Sequence, residues 1–410
     1  MERTELTPGY SISRVLNGLW QLSPGHTLAG RLDTADILHA FHELTERGMT
    51  TFDLADIYLG AEDVLGAFLR ELRGSKGEGA LTPDDIQIHE KYVPDYDILK
   101  TVSFADTERI IDRSLRKLGR DYIDLIQFHW WDYEVERYVE VAQNLVKLRD
   151  KGKIRHIGVT NFDTAHLAAL VDAGIPVISC QSQYSVFDRR VERAMVEYGT
   201  SLDASSEAAR GEGSAGRNMC GAGRNMGSAG RSAHIHQICY GTLAGGLLSE
   251  KYLDILRAGR TGDASLADIQ PETRSQVKYL QIIDASLGAD GYLRILELLN
   301  DIAREHGVQI AQVATRYVLQ KTGVAAAIIG IRNSRHVAEN ARIGTLSLSA
   351  DDVERIDALL AQYPTVPGEP YELERDPHSI FRSIIRMNEA EGGDHAAHGK
   401  NDAQNSKEGE

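Results

Sequence analysis

Three short apolar runs in this chain end on side chains that could do chemistry together. Thr51-Phe52-Asp53-Leu54-Ala55-Asp56-Ile57-Tyr58 opens as an extended run and carries an aspartate and a tyrosine five positions apart, just before Gly60-Ala61. Ile86-Gln87-Ile88-His89-Glu90-Lys91 ends on a lysine, and Ile123-Asp124-Leu125-Ile126-Gln127-Phe128-His129 on a histidine. A phenol with an ordinary pKa of about 10 is a poor proton donor at neutral pH. A nearby ammonium makes the phenolate easier to form, and an aspartate paired with that ammonium keeps it charged and oriented. A histidine at the same mouth can hydrogen-bond a carbonyl oxygen and fix its direction. Asp53, Tyr58, Lys91 and His129 therefore suit proton delivery to a carbonyl oxygen that is gaining negative charge. None of them can supply hydride, so this chemistry calls for a nicotinamide cofactor.

Such residues must be brought together by the elements that carry them. Extended β-type runs fall near 14–21, 50–55, 86–92, 123–129, 154–159, 177–183, 235–240 and 324–331. Helical patterns fall at 33–48, 60–73, 106–119, 134–151, 163–174, 190–198, 291–306, 309–321, 334–341 and 350–362. Asp163 and Ser349 read as helix caps. Eight strands with intervening helices predict an α/β fold, a (β/α)8 TIM barrel in which chemistry gathers where strands open into helices. A doubly wound sheet is the rival architecture, but no glycine fingerprint follows the first strand. Gly211-Glu212-Gly213-Ser214-Ala215-Gly216 matches that fingerprint by letter only, having neither a strand before it nor a helix after it. It lies in a low-complexity Gly/Arg insertion at 200–233, where Gly216-Arg217-Asn218-Met219 and Gly223-Arg224-Asn225-Met226 recur at a seven-residue step. The expected organisation is one barrel domain over 1–387, interrupted by this insertion on the face away from the chemistry. A polar, disordered tail is expected at 388–410.

The 410 residues are 42% hydrophobic and 26% charged, with a formal net charge of -15. That balance excludes a general nucleic-acid binder, which needs a basic face. No run is long enough to span a membrane. Cys180, Cys220 and Cys239 have no metal-ligand spacing. The neighbours His234, His236 and Cys239 do not make a convincing site either, so no metal is expected. A cytoplasmic protein acting on a small molecule is the expectation.

The ordered set of motifs resembles the aldo-keto reductase family, from roughly Ile12 to Tyr371. The family's Asp-Tyr-Lys-His tetrad falls on Asp53, Tyr58, Lys91 and His129. Gly158-Val159-Thr160-Asn161-Phe162 is similar to the family's Gly-Val-Ser-Asn-Phe, which implies that Thr160 and Asn161 hold the nicotinamide carboxamide. Gln181, in Cys180-Gln181-Ser182-Gln183-Tyr184, matches the glutamine that shares this task. Tyr240 matches the aromatic under the nicotinamide ring, with Gly241 and Leu243 following it. Ile329-Gly330-Ile331-Arg332-Asn333-Ser334, then His336, Glu339 and Asn340, resemble the turn and helix start that hold the 2′-phosphate and adenine. A helix N-terminus with arginines is a sound anion site. Position 330 is glycine, 331 isoleucine and 336 histidine, where many relatives have lysine, serine and arginine. Arg332 and Arg335 can compensate. NADPH is thus the implied cofactor, with NADH the alternative.

The resemblance implies an oxidoreductase that reduces an aldehyde or ketone to an alcohol, with Tyr58 as general acid. A nucleotide-binding regulatory protein of the same fold is the alternative from another class. A Schiff-base enzyme built on Lys91 is a weaker one. At least one of Trp20, Trp130 and Trp131 is expected to line the substrate pocket. His89 and Glu90 are assigned to the scaffold, and Asp56 to a helix start. Residues 249–290 are expected to form a strap over the cofactor, and 364–376 to close over the substrate.

Overall fold

The computed structural model describes residues 1–23, 32–74, 77, 79–202, 234–258 and 265–384. The glycine-rich segment from 203 to 233, with the decoy fingerprint and Cys220, lies outside the described residues, as does the tail from 385.

Two strands, β1 (Arg3–Thr7) and β2 (Tyr10–Ser13), pair as an antiparallel hairpin. Eight more follow: β3 (Val15–Gly18), β4 (Thr51–Ala55), β5 (Gln87–Tyr92), β6 (Ile123–Phe128), β7 (Ile154–Thr160), β8 (Val177–Gln183), β9 (His236–Tyr240) and β10 (Val324–Gly330). They close into a parallel barrel in the order β10-β3-β4-β5-β6-β7-β8-β9, so the fold is a (β/α)8 barrel. Every residue of β4, β6 and β8 is buried. Strands covered on both faces need such continuous apolar runs, which is why these segments read so clearly in the sequence. The register sets Ala55 opposite Lys91, Lys91 opposite Gln127, Thr160 opposite Gln181 and Gln183 opposite Tyr240. The ends of successive strands therefore meet at one rim.

The helices begin where their caps allow. Asp33, Ser103, Asp163 and Ser349 each accept backbone N–H groups at the starts of Thr34–Glu46, Phe104–Leu118, Thr164–Asp172 and Ala350–Leu360. Ser103 and Asp106 form a reciprocal box, so the third of the expected helices starts two residues before 106. Near 190–198 the expected helix is replaced by a short 3-10 turn, Arg190–Glu192, followed by helical residues 195–202. The expected strap contains two helices, Glu250–Ala258 and Arg274–Ser286.

The hairpin plugs the floor of the barrel. Leu6, Tyr10 and Ile12 pack with Leu16, Leu125, Ile178, Ile238, Ala325 and Ala326. The Tyr10 hydroxyl lies 3.0 Å from His89 Nε2, and its ring stacks on His156 at 4.4 Å. The larger core fills the layer between barrel and helices, with Phe41, Phe52 and Phe68 in mutual contact. Among the described residues no helix is long and apolar enough to cross a membrane.

Candidate active site

The rim where the strands end surrounds a cavity of about 500 Å³. Asp53 from β4 and Lys91 from β5 are both buried and form a close ion pair. Lys91 Nζ also donates to the Leu54 carbonyl at 3.2 Å and stands 5.1 Å from the centre of the Tyr58 ring. Asp53 Oδ2 accepts from Gln127 Nε2 at 2.8 Å and from Gln181 Nε2 at 2.6 Å, and Gln181 Nε2 also donates to Gln127 Oε1 at 2.8 Å. A buried charge pair is tolerated when its remaining valences are met; here two amides and a backbone carbonyl meet them. Gln127 is the member that sequence reasoning missed. It sits two residues before His129 on a strand, hence on the same face, and is the only uncharged polar residue of β6.

Burial alone would lower the Lys91 pKa, but Asp53 and Tyr58 outweigh it and the net direction is upward. Lys91 is held as an ammonium. For Tyr58, burial pushes the pKa up, Lys91 pulls it down and Asp53 opposes Lys91, leaving it above 10. Lys91 acts in the direction expected from the sequence, but withdrawal from water is the larger influence. The Tyr58 ring packs on Trp20 with ring centres 4.8 Å apart.

His129 is buried, with Trp131 and Tyr371 meeting its ring nearly at right angles, at 4.5 and 5.6 Å. Its Nδ1 lies 3.2 Å from the Thr160 carbonyl oxygen. Burial, helped by the nearby Arg375 guanidinium, depresses its pKa to about 3, so the imidazole is neutral near pH 7.

The other half of the cavity is lined by Thr160, Asn161, Gln181, Tyr240, Gly241, Leu243, Gly330 and Arg332. Asn161 takes a left-handed φ of 61°, and its Oδ1 accepts from the Tyr240 hydroxyl at 2.9 Å. Gly241 has φ of 78°, and a Cβ there would fall 2.1 Å from the Tyr279 hydroxyl. A side chain at Gly330 would run into Gln21. These glycines let the backbone pass close to Tyr279 and Gln21 at the wall of the groove. Thr273, Arg274, Ser275 and Lys278 also line it, from the start of the Arg274–Ser286 helix. Sequence reasoning reached that segment only as a strap. Its Thr273 cap, which accepts from Gln276 N, is the signal that could have located the helix.

Four expected site residues stand elsewhere. Trp130 does not line the cavity; it is fully buried, donates to the Val135 carbonyl at 3.0 Å and packs on Phe128. Alternation along the chain explains this, since His129 and Trp131 face the cavity and Trp130 between them cannot. His336 is exposed at the Ser334–His336 turn, and Glu339 and Asn340 lie on the Val337–Ile343 helix beyond the lining residues. Asp56 does not start a helix either. It is buried, accepts from Val93 N at 3.3 and 3.2 Å, and the next helix begins at Ala61.

The C-terminal segment completes the wall. Tyr371, with a left-handed φ of 63°, lines the cavity. Glu374 is fully buried and accepts from both Arg190 terminal nitrogens at 3.1 Å, and Lys278 Nζ lies 2.9 Å away.

The sequence pattern of the aldo/keto reductase family matches residues 14–204 and 224–361. The chain belongs to the aldo/keto reductase family. It is 25% identical over 377 residues to the aldo-keto reductase YhdN of Bacillus subtilis, spanning 90% of this chain and 97% of that one. It is also 25% identical over 358 residues to the L-glyceraldehyde 3-phosphate reductase of Escherichia coli K12, spanning 84% and 88%. A crystal structure of the thermostable aldo-keto reductase Tm1743 superposes with a TM-score of 0.61 at 21% identity, covering 88% of this chain and all of that one. Membership makes this an oxidoreductase of carbonyl groups that works with a nicotinamide cofactor.

Proposed function

We propose that this aldo/keto reductase reduces an aldehyde or ketone to the alcohol with NADPH, and that Tyr58 is the general acid. The observation that carries this reading is the Asp53–Lys91–Tyr58 chain at the head of an open groove. A bound nicotinamide would supply the hydride, and every other requirement falls on the protein. Tyr58 gives its hydroxyl proton to the carbonyl oxygen. Lys91 stabilises the phenolate left behind, and Asp53 keeps the ammonium charged and aimed. Trp20, Trp131 and Tyr371 exclude water around the reacting atoms.

The groove suits a dinucleotide. Gln181 has its nitrogen engaged by Asp53 and Gln127, which leaves Oε1 to accept from a carboxamide N–H. Asn161 has its oxygen engaged by Tyr240, which leaves its N–H₂ for the carboxamide oxygen. Tyr240 offers a ring for the nicotinamide to stack on. Arg274 and Arg332 bring positive charge to the groove, and Arg332, beside Gly330, is our candidate for the 2′-phosphate contact. His336, Glu339 and Asn340 would meet the adenosine end outside the cavity.

The test is a fluorescence titration of the wild-type protein with NADPH and NADH, beside Tyr58→Phe and Arg332→Ala. The reading expects Tyr58→Phe to retain saturable binding and Arg332→Ala to weaken NADPH while sparing NADH. A panel of aldehydes and ketones then reads turnover. If neither nucleotide binds at micromolar concentration, the proposal fails. Equal weakening of both nucleotides by Arg332→Ala would remove the 2′-phosphate assignment alone.

A further inference from the structure

One ammonium on the cavity wall has no part in the proton chemistry. Lys278, on the Arg274–Ser286 helix, is buried and lines the cavity. Its Nζ stands 5.9 Å from the centre of the Tyr240 ring, 5.5 Å from that of the Tyr371 ring and 2.9 Å from Glu374. Two ring faces and a carboxylate thus fix a cation that sits on a long, flexible stem. The cluster behind it has a direction. Glu374 and Asp188 are fully buried and joined through Arg190, and neither lines the cavity. Among the described residues, the wall itself carries Lys91, Arg274, Lys278 and Arg332 against Asp53 alone, and Asp53 is already matched by Lys91. The cluster therefore turns its positive end to the groove, beside the ring that offers the nicotinamide its stacking surface.

We infer, resting on the nicotinamide-cofactor reading above, that Lys278 makes the site discriminate between the redox states of its cofactor and favour the reduced form. The oxidised nicotinamide ring carries a positive charge, and the reduced ring is neutral. Phosphates, riboses and adenine are the same in both, so contacts to them hold the two forms alike. A fixed ammonium at the ring end repels only the oxidised form, and a like-charge repulsion withdrawn from bulk water is worth severalfold in affinity. The consequence lies in filling and emptying. The groove takes the reduced form from a mixture of the two and lets the oxidised form go after turnover. The same repulsion gives no help to the hydride step, because positive charge grows on the ring as hydride leaves. Lys278 therefore sets which form is held and is not a catalytic residue.

Isothermal titration calorimetry of the wild-type protein with NADPH, NADP+, NADH and NAD+ reads this preference without turnover. Within the pair that binds tighter, the reduced form should have a Kd at least about fivefold below that of the oxidised form. Lys278→Arg, which keeps the charge, should hold that ratio within about twofold of wild type, and Lys278→Met should cut it by at least about threefold. Should Lys278→Met not fold, Lys278→Gln, which can still hydrogen-bond Glu374, takes its place with the same expected ratio. A merely structural role would weaken both forms by the same factor. An unchanged ratio in the uncharged variant, or a wild type that binds the oxidised form as tightly as the reduced, overturns the inference. A ratio lost equally in Lys278→Arg also overturns it, because packing rather than charge would then decide. If no nicotinamide nucleotide binds the wild type, the cofactor reading itself falls and takes this inference with it. Binding of both forms with an unchanged ratio leaves that reading standing.

Discussion

Tyr58 is the residue on which the chemistry turns, and its environment is a contest between burial and Lys91. Burial raises its pKa and the ammonium lowers it, with burial prevailing in the free protein. Tyr58→Phe is expected to lower kcat by roughly 10²- to 10⁴-fold, the usual worth of a positioned general acid, while cofactor binding persists. Lys91→Met makes a sharper test, because it moves the phenol without removing it. Without the ammonium the phenolate loses its stabilisation, so the basic limb of the kcat/KM profile should move to higher pH. An unchanged limb would mean that Lys91 does not act on Tyr58. The same substitution strands Asp53 with only Gln127 and Gln181 as partners, and breaking a buried pair costs about 3–5 kcal/mol. Unfolding in urea should therefore show the loss alongside the kinetic change. At this scale the four positions were legible because each is an ionisable residue within or just after a short apolar run. Gln127 and the Nδ1 contact of His129 were not, since partners across the barrel depend on register.

Seven of the eight barrel strands were legible to within a residue at each end, while the first was expected to run to 21 and ends at Gly18; burial on both faces is what makes such short segments stand out. The short β1–β2 hairpin carried no such signal; Leu6, Tyr10 and Ile12 acquire meaning only against the barrel floor. The two helices inside 249–290 were also hidden, and one of them carries Lys278 to the cavity. Lys278 leads to a device that joins separate elements. Glu374 of the C-terminal segment holds both Lys278 and Arg190, and Arg190 is held in turn by Asp188 at 2.7 Å. Two carboxylates and two cations balance, all of them buried. Burial would raise the Glu374 pKa, but Lys278 and Arg190 override it and hold the carboxyl far below its ordinary value. Glu374→Ala leaves Lys278 without its carboxylate and Arg190 with one partner instead of two. The expected cost is about 3–5 kcal/mol, with faster proteolytic cleavage of the segment that carries Tyr371. Wild-type stability in urea would mean that the cluster is not what anchors this segment.

The whole molecule stores neutral forms of opposite kinds, and these set its response to pH. His89 and His129 are buried with pKa values of about 3, and His156 is lowered as well, against an ordinary value of 6.5. Burial acts the other way on carboxyls, raising Asp56 and Glu90 well above their ordinary 3.8 and 4.5, and Asp124 less strongly. A lowered histidine contributes stability above pH 6.5 that is lost as pH falls toward its folded value. A raised carboxyl contributes stability below its ordinary pKa that is lost as pH climbs to its folded value. Between about pH 4.5 and 6.5 these slopes oppose each other, while above that window only the carboxyls act. The raised carboxyls should therefore pull stability down as pH climbs above about 4.5, at up to about 1.4 kcal/mol per pH unit each, until each reaches its folded value. Glu90 is the place to test it, being fully buried with neither carboxyl oxygen hydrogen-bonded and with the carboxyls of Glu62 and Asp56 as neighbours that disfavour a charge on it. Glu90→Gln has no proton to gain or lose. It should unfold like the wild type at pH 4, where both are neutral, and at higher temperature than the wild type at pH 7.5. An equal shift at both pH values would mean that packing, rather than the protonation of Glu90, decides what this buried acid contributes.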